Sequence, residues 1–250
     1  MRRLAPQKRK DETQDAFYHG RILVLQKKRG YRFAVDAPLL ADFIKTKNAD
    51  ICLELGTGCG IISLLLSVKP FAHITAVEIQ DSLADLAQRN VKLNHLEDRI
   101  LVVHLDFRDF FPGHKFDVVF SNPPYIRARG GRLSESSEKS IAKHELKCDI
   151  LGIMQKTAEV LKKEGRAYFI YAAKREKEFK AAVEQNEMKV KTIRFVVPRS
   201  ESPPSFLLAE LDFVSLSEKI LPSLVLHDQK GDYTSEAQEI FAGRHHVSTF

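Results

Sequence analysis

The chain predicts an α/β domain: a seven-stranded, mostly parallel sheet with an antiparallel edge hairpin and helices on both faces. Three observations support this. Between residues 49 and 121, short apolar runs bounded by turn residues alternate with segments of helical period, as in βαβ units. A glycine-rich turn leads directly from the first run into a helix pattern. Two late runs, Met188–Val197 and Phe206–Leu211, flank the short Pro-rich turn Pro198–Pro204, as in a hairpin. With 250 residues and 44% hydrophobic content, the chain can bury one full core of this kind.

Residues 1–20 are polar and rich in Arg and Lys, and read as a solvated tail; the functional alternative is a basic arm touching phosphate. Arg21–Lys28 reads as a short strand with its turn at Lys28–Tyr31, and Pro38–Lys45 has helical period. Residues 1–48 are therefore expected to form a basic arm, a hairpin and a lid helix ahead of a main domain at 49–214. Residues 215–250 are expected to form a tail packed on that domain. Lys27, Lys28 and Arg29 cluster at the hairpin turn, where they suit either phosphate or plain solvation.

Ala49–Leu55 is the first central strand. It runs through Glu54-Leu55-Gly56-Thr57-Gly58-Cys59-Gly60 into the helix pattern Ile61–Val68. Glycines allow a tight turn and a close ligand approach, but G-x-G-x-G is not the G-x-G-x-x-G spacing of a dinucleotide fold. The second strand, His73–Val77, ends at Glu78, just over twenty residues after Gly56. An acid there suits ribose hydroxyls, and Ile79 suits a purine face. Helix Asp81–Asn94 and strand Arg99–Leu105 follow, ending at Asp106-Phe107, where an acid can accept from an adenine amino group.

The fourth strand, Phe116–Phe120, stops at Ser121-Asn122-Pro123-Pro124-Tyr125 because two prolines can neither continue a ladder nor enter a helix interior. Asn122 and Pro123 are thereby left at the carboxyl edge, where open α/β sheets bind ligands. The Asn122 amide oxygen and the Pro123 carbonyl offer two acceptors, and Tyr125 a stacking ring. This suits a planar group bearing NH2.

Ile126–Glu145 is polar and carries Arg127, Arg129 and Arg132; it reads as a substrate loop. Helix Cys148–Lys163, strand Gly165–Ala173 and helix Lys174–Gln185 complete the alternation, and Arg199 lies in the late turn. The formal charge of +6 is compatible with a polyanionic partner. Three cysteines without paired spacing imply neither a disulfide framework nor a zinc site, so no metal is expected. No membrane span and no signal peptide are visible. A cytoplasmic monomer is expected.

The turn at 54–60, Glu78, Asp106 and Asn122–Tyr125, in this order and spacing, resemble the class I S-adenosylmethionine-dependent methyltransferases over roughly residues 49–214. The resemblance implies a Rossmann-like fold, S-adenosylmethionine as cofactor and S-adenosylhomocysteine as product. Glu54, Gly56, Gly58, Gly60, Glu78, Ile79, Asp106, Phe107 and Asn122 are then cofactor residues. Asn122, Pro123 and Tyr125 are catalytic, for methylation of a planar sp2-bonded nitrogen. Gln26–Asp36, Glu78–Gln80, Ile141–Glu145, Arg194–Arg199 and Gly231–Glu236 extend the match to the bacterial family that methylates adenine N6 in valine tRNA. That resemblance implies tRNA as partner, with Lys27, Lys28, Arg29, Arg127, Arg129, Arg132 and Arg199 on phosphate. Glu54 stands where Asp is usual, Cys59 where Asn or Ser is common, and Ile126 where Phe is frequent.

The competing readings are a glutamine-amide protein methyltransferase and a ribosomal RNA adenine or guanine N-methyltransferase. Only about forty-eight residues precede the first core strand, which leaves little room for the N-terminal helical domain the former usually carries. The glycine spacing disfavours a dinucleotide-dependent oxidoreductase, and the intact cofactor set disfavours a catalytically silent RNA-binding module.

Overall fold

The computed structural model describes residues 6–29, 32, 34–123 and 150–243. Its centre is an eight-stranded sheet in the order β10-β8-β9-β7-β6-β3-β4-β5. These strands are β3 (Ile51–Leu55), β4 (His73–Glu78), β5 (Ile100–His104), β6 (Phe116–Ser121), β7 (Leu161–Ala172), β8 (Lys189–Val197), β9 (Phe206–Asp212) and β10 (Lys219–Val225). Strands β3 to β7 run parallel, β9 is antiparallel to both β7 and β8, and β10 is parallel to β8. The expected seven strands are thus eight. β10 lies within the stretch read as a tail and pairs beyond β8, so the β8–β9 hairpin is one strand in from the edge. Its exposed, Pro-containing pattern disguised it: Pro is tolerated at an edge, where one side of the strand needs no ladder.

Side chains alternate across the sheet, as a period of two requires. On β7, Tyr168 and Ile170 enter one core while Phe169 and Tyr171 enter the other. The first face is covered by α1 (Asp36–Phe43), α2 (Ile61–Leu66), α3 (Asp81–Leu93) and α6 (Ser235–Ala242). The second is covered by α4 (Ile150–Val160) and α5 (Glu176–Gln185). Both faces of the central strands are buried, which is why they read as unbroken apolar runs.

A separate two-stranded sheet, β1 (Glu12–Phe17) and β2 (Ile22–Lys27), turns at Tyr18–Arg21. This corrects two expectations: residues 12–17 are strand rather than tail, and the hairpin turn precedes β2 instead of following it. The polar alternation of Glu12–Phe17 hid a strand with one face on the domain. Its anchor is chemical: Glu12 is fully buried and held by Nη1 and Nη2 of Arg89, at 2.6 and 2.8 Å. The free edge of β2 is closed by α3, where Asn90 exchanges two hydrogen bonds with the Leu25 backbone and Asn94 two with Leu23. β2 therefore runs against α3, and since α3 starts at the carboxyl end of β4, the 27–29 end of the hairpin lies at that edge of the sheet. At the far end of α1, the Lys69 ammonium donates to the carbonyls of Ala41, Asp42 and Ile44 at 2.6–2.7 Å.

No helix among the described residues is long and apolar enough to cross a membrane.

Candidate active site

The sheet order reverses between β3, which leads outward to β4 and β5, and β6, which lies on its other side. At such a switch point the loops after adjacent strands diverge and leave a crevice. Glu54 and Phe120 are paired in the ladder, so the glycine turn and Asn122 both open into this crevice.

Gly56, Gly58 and Gly60 have φ of +74°, +60° and +85°, a region that L side chains rarely adopt. A Cβ added at Gly56 would meet nothing within 4 Å, so its face of the turn is open for a ligand. The turn is braced from below. Thr57 donates to Glu54 at 2.6 Å, Ser63 donates to the same carboxylate oxygen, and the N–H groups of Gly56 and Thr57 share the Val77 carbonyl at 2.9 and 3.0 Å. Glu54 is 1% exposed, and burial pushes its carboxyl up to about 7 against the pull of the two hydroxyls. Its carboxylate lies inside the turn.

Glu78 is buried at the end of β4. Its Oε2 accepts the Gly58 N–H at 2.8 Å and its Oε1 the Gln80 N–H at 2.9 Å. Each oxygen keeps acceptor capacity for a diol. Ile79 is half-buried beside it. Asp106 caps the short 3-10 turn Phe107–Asp109, accepting the Arg108 N–H at 3.1 Å and Nε at 3.0 Å. A ligand amino group would share that carboxylate with the Arg108 guanidinium. Phe107 is 5% exposed and packs with Leu53, Leu55 and Val77 under the crevice.

At the end of β6, Ser121 is tied down by its hydroxyl to the Leu55 carbonyl at 2.7 Å, and Pro123 is buried. Asn122 donates from Nδ2 to Asp36 Oδ2 at 3.0 Å. Its Oδ1 is buried and has no hydrogen-bond partner among the described residues. Tyr125, Arg127, Arg129 and Arg132 lie outside the described residues.

Of the basic residues, Lys28 and Arg29 are exposed at the site edge, whereas Lys27 is paired with Asp11 at 3.0 Å and lies 3.9 Å from Glu12. Arg199 is exposed just past β8, which points the same way as β7, and so lies on the same edge. Sequence reasoning did not place Asp36, Thr57 or Ser63 in the site. Asp36 is separated from Asn122 by most of the first core unit, and no local pattern announces the contact. The described residues hold no group of three or more His, Cys, Asp or Glu side chains placed to bind a metal.

A glycine cradle at a switch point, an acid at the end of the next strand and a buried, unpartnered amide oxygen at the end of β6 define an α/β group-transfer enzyme of the methyltransferase type. The comparisons agree. Residues 32–199 match the Methyltransferase small domain family, and the chain belongs to it. It is similar to a tRNA1(Val) (adenine(37)-N6)-methyltransferase of Flavobacteriaceae bacterium (strain 3519-10), 28% identical over 82% of this chain and 88% of the relative. An enzyme of the same name from Bacteroides thetaiotaomicron is 26% identical over 90% of this chain and 96% of the relative. Among solved structures, a predicted O-methyltransferase from Agrobacterium tumefaciens superposes with a TM-score of 0.65 at 19% identity, over 84% of this chain and 96% of that one. That likeness bears on the fold, which is the Rossmann-like fold of class I methyltransferases.

Proposed function

We propose that this enzyme methylates the exocyclic N6 of an adenine in tRNA, using S-adenosylmethionine, and that the adenine is the one at position 37 named for its relatives. The observation that carries the reading is the buried, unpartnered Oδ1 of Asn122 at the carboxyl end of β6. An orphaned buried acceptor is costly and implies a donor that arrives with a ligand. An aromatic NH2 is such a donor.

The residues present fit the cofactor. The open face of Gly56 admits the amino-acid end, Glu78 offers acceptors for the ribose hydroxyls, and Asp106 offers one for the adenine amine. When bound, the cofactor supplies an electrophilic methyl on a sulfonium. The amine it meets is a weak nucleophile because its lone pair is delocalised into the ring. Asn122 Oδ1 would accept a hydrogen bond from one amine N–H and the Pro123 carbonyl from the other, favouring a pyramidal nitrogen whose lone pair faces the methyl; the proton that the methylated nitrogen sheds would pass to solvent. This is orientation and electrostatics rather than strong general-base chemistry. Tyr125 would stack on the extruded base, worth about 1–3 kcal/mol, and an anticodon-loop base is already partly unpaired, which lowers the cost of extrusion. A tRNA substrate implies a cytoplasmic enzyme.

The test is transfer of labelled methyl from S-adenosylmethionine to total tRNA, with nucleoside analysis of the product. N6-methyladenosine confined to one tRNA supports the reading; label in protein or ribosomal RNA replaces the substrate. Asn122→Ala should abolish transfer while leaving cofactor affinity within a few-fold.

A further inference from the structure

Asp36 is the first residue of α1, 7% exposed, and its two carboxylate oxygens have separate partners. Oδ1 accepts the N–H of Ala37 at 3.0 Å and of Ala34 at 3.3 Å, which locks the side chain to its own backbone. Oδ2 accepts from Asn122 Nδ2 at 3.0 Å. A carboxylate only accepts, so the amide of Asn122 can turn only its NH2 toward Asp36. The carbonyl oxygen then points the other way, and it is the one that is buried without a partner. The reverse orientation would set two oxygens against each other and present an NH2 donor to a substrate amine that is itself a donor. The support extends beyond the pair, since Lys69 holds the last turn of α1 through three carbonyls. A catalytic group held this way is preorganised by its second layer of contacts.

We infer that Asp36 is a positioning residue for the methyl transfer: it fixes the Asn122 amide so that its acceptor, and not its donor, meets the nucleophilic nitrogen. The inference rests on the reading of Asn122 given under the proposed function. A charge-assisted hydrogen bond also draws electron density toward Oδ1 and strengthens it as an acceptor. Asp36 touches neither reactant in this role, so its loss should appear in kcat and leave binding nearly unchanged.

The experiment is a reciprocal swap, with steady-state kinetics on tRNA and calorimetric affinity for S-adenosylhomocysteine. Asp36→Asn keeps the acceptor for the Ala34 and Ala37 N–H groups but can donate to Asn122 and turn it round; kcat should fall about ten- to a hundredfold, with KM for tRNA and cofactor affinity within about threefold. Asn122→Asp sets two carboxylates against each other and should be at least as impaired. The double variant restores one donor and one carboxylate with exchanged positions, and should recover at least about tenfold in kcat over Asn122→Asp. A purely structural Asp36 would give losses that multiply, and that result overturns the inference, as does an Asp36→Asn enzyme with wild-type kcat. Should Asp36→Asn not fold, Asp36→Ser carries the same test: its hydroxyl is too short to reach Asn122, so unchanged kcat overturns the role and a selective kcat loss supports it. An unmodified enzyme that transfers no methyl to tRNA defeats the proposed function itself; an active one with multiplicative losses defeats only the role of Asp36.

Discussion

The Glu78 carboxylate accepts the Gly58 N–H at 2.8 Å, so the end of β4 and the crest of the glycine turn form one hydrogen-bonded unit. The residue expected to receive the ribose also holds the loop expected to receive the rest of the cofactor. Removing it should cost two interactions at once. Glu78→Ala should weaken S-adenosylhomocysteine binding by roughly ten- to a hundredfold, the range for losing a hydrogen bond to a charged group. Calorimetry is the check, and an affinity within threefold of the unmodified enzyme would place the ribose elsewhere.

The glycine turn offers a separable test of backbone strain. At Gly56 an added Cβ has open space, so Gly56→Ala faces only the penalty of φ +74°, about 1–2 kcal/mol. Gly113→Ala, also with open space but without a positive φ, is the control and should be neutral. Urea denaturation of the pair decides it; equal stabilities would mean that the turn relaxes.

Glu54 makes stability depend on pH in an unusual direction. Its carboxyl is raised from an ordinary 4.5 to about 7, first by burial and further by the nearby charge of Glu78. Between these values the folded chain holds a proton that the unfolded chain has released. Stability should therefore fall as pH rises from about 4.5 to about 7, by a total on the order of 3 kcal/mol, and then level off. Asp11, Glu12 and Asp117 are shifted the other way, so their contribution is lost only at lower pH, below the ordinary carboxylate range. Glu54→Gln should remove the slope between pH 5 and 7. Parallel unfolding curves for both proteins across that range would contradict the assignment.

The basic end of the hairpin divides into charge held by acids and charge exposed at the surface, where the Lys28 ammonium donates to the Lys10 carbonyl at 2.7 Å. Lys27 is half-buried against Asp11 and Glu12, so Lys27→Glu should destabilise the hairpin by placing a third acid there. Lys28 and Arg29 are exposed at the site edge. Reversing both should weaken tRNA binding and flatten the plot of log affinity against log salt by roughly 1.4–1.8 in slope, as for two lost phosphate contacts. Filter binding across a salt series measures it, and an unchanged slope would return these residues to solvent.

The legible part of this fold was the part whose pattern is local. Apolar runs with two-sided burial, the strand–glycine–helix passage and the double proline after Asn122 each carry their own geometry, and they located β3 to β9 and the crevice. Glu12–Phe17 and Lys219–Val225 were missed because their patterns are mostly polar or exposed; what makes them strands is their neighbours, β2 and Arg89 for one and β8 for the other.

The candidate site divides the same way. Residue type and spacing along the chain were enough to nominate the glycine turn, Glu78, Asp106 and Asn122, because backbone conformation and strand ends are short-range properties. Which way the Asn122 amide faces is a different kind of fact. It depends on Asp36, which folding brings within 3.0 Å across the crevice, and on Lys69 at the other end of the same helix. Hydrogen-bond direction is set by through-space partners, and partners distant in sequence exist only once the sheet has formed.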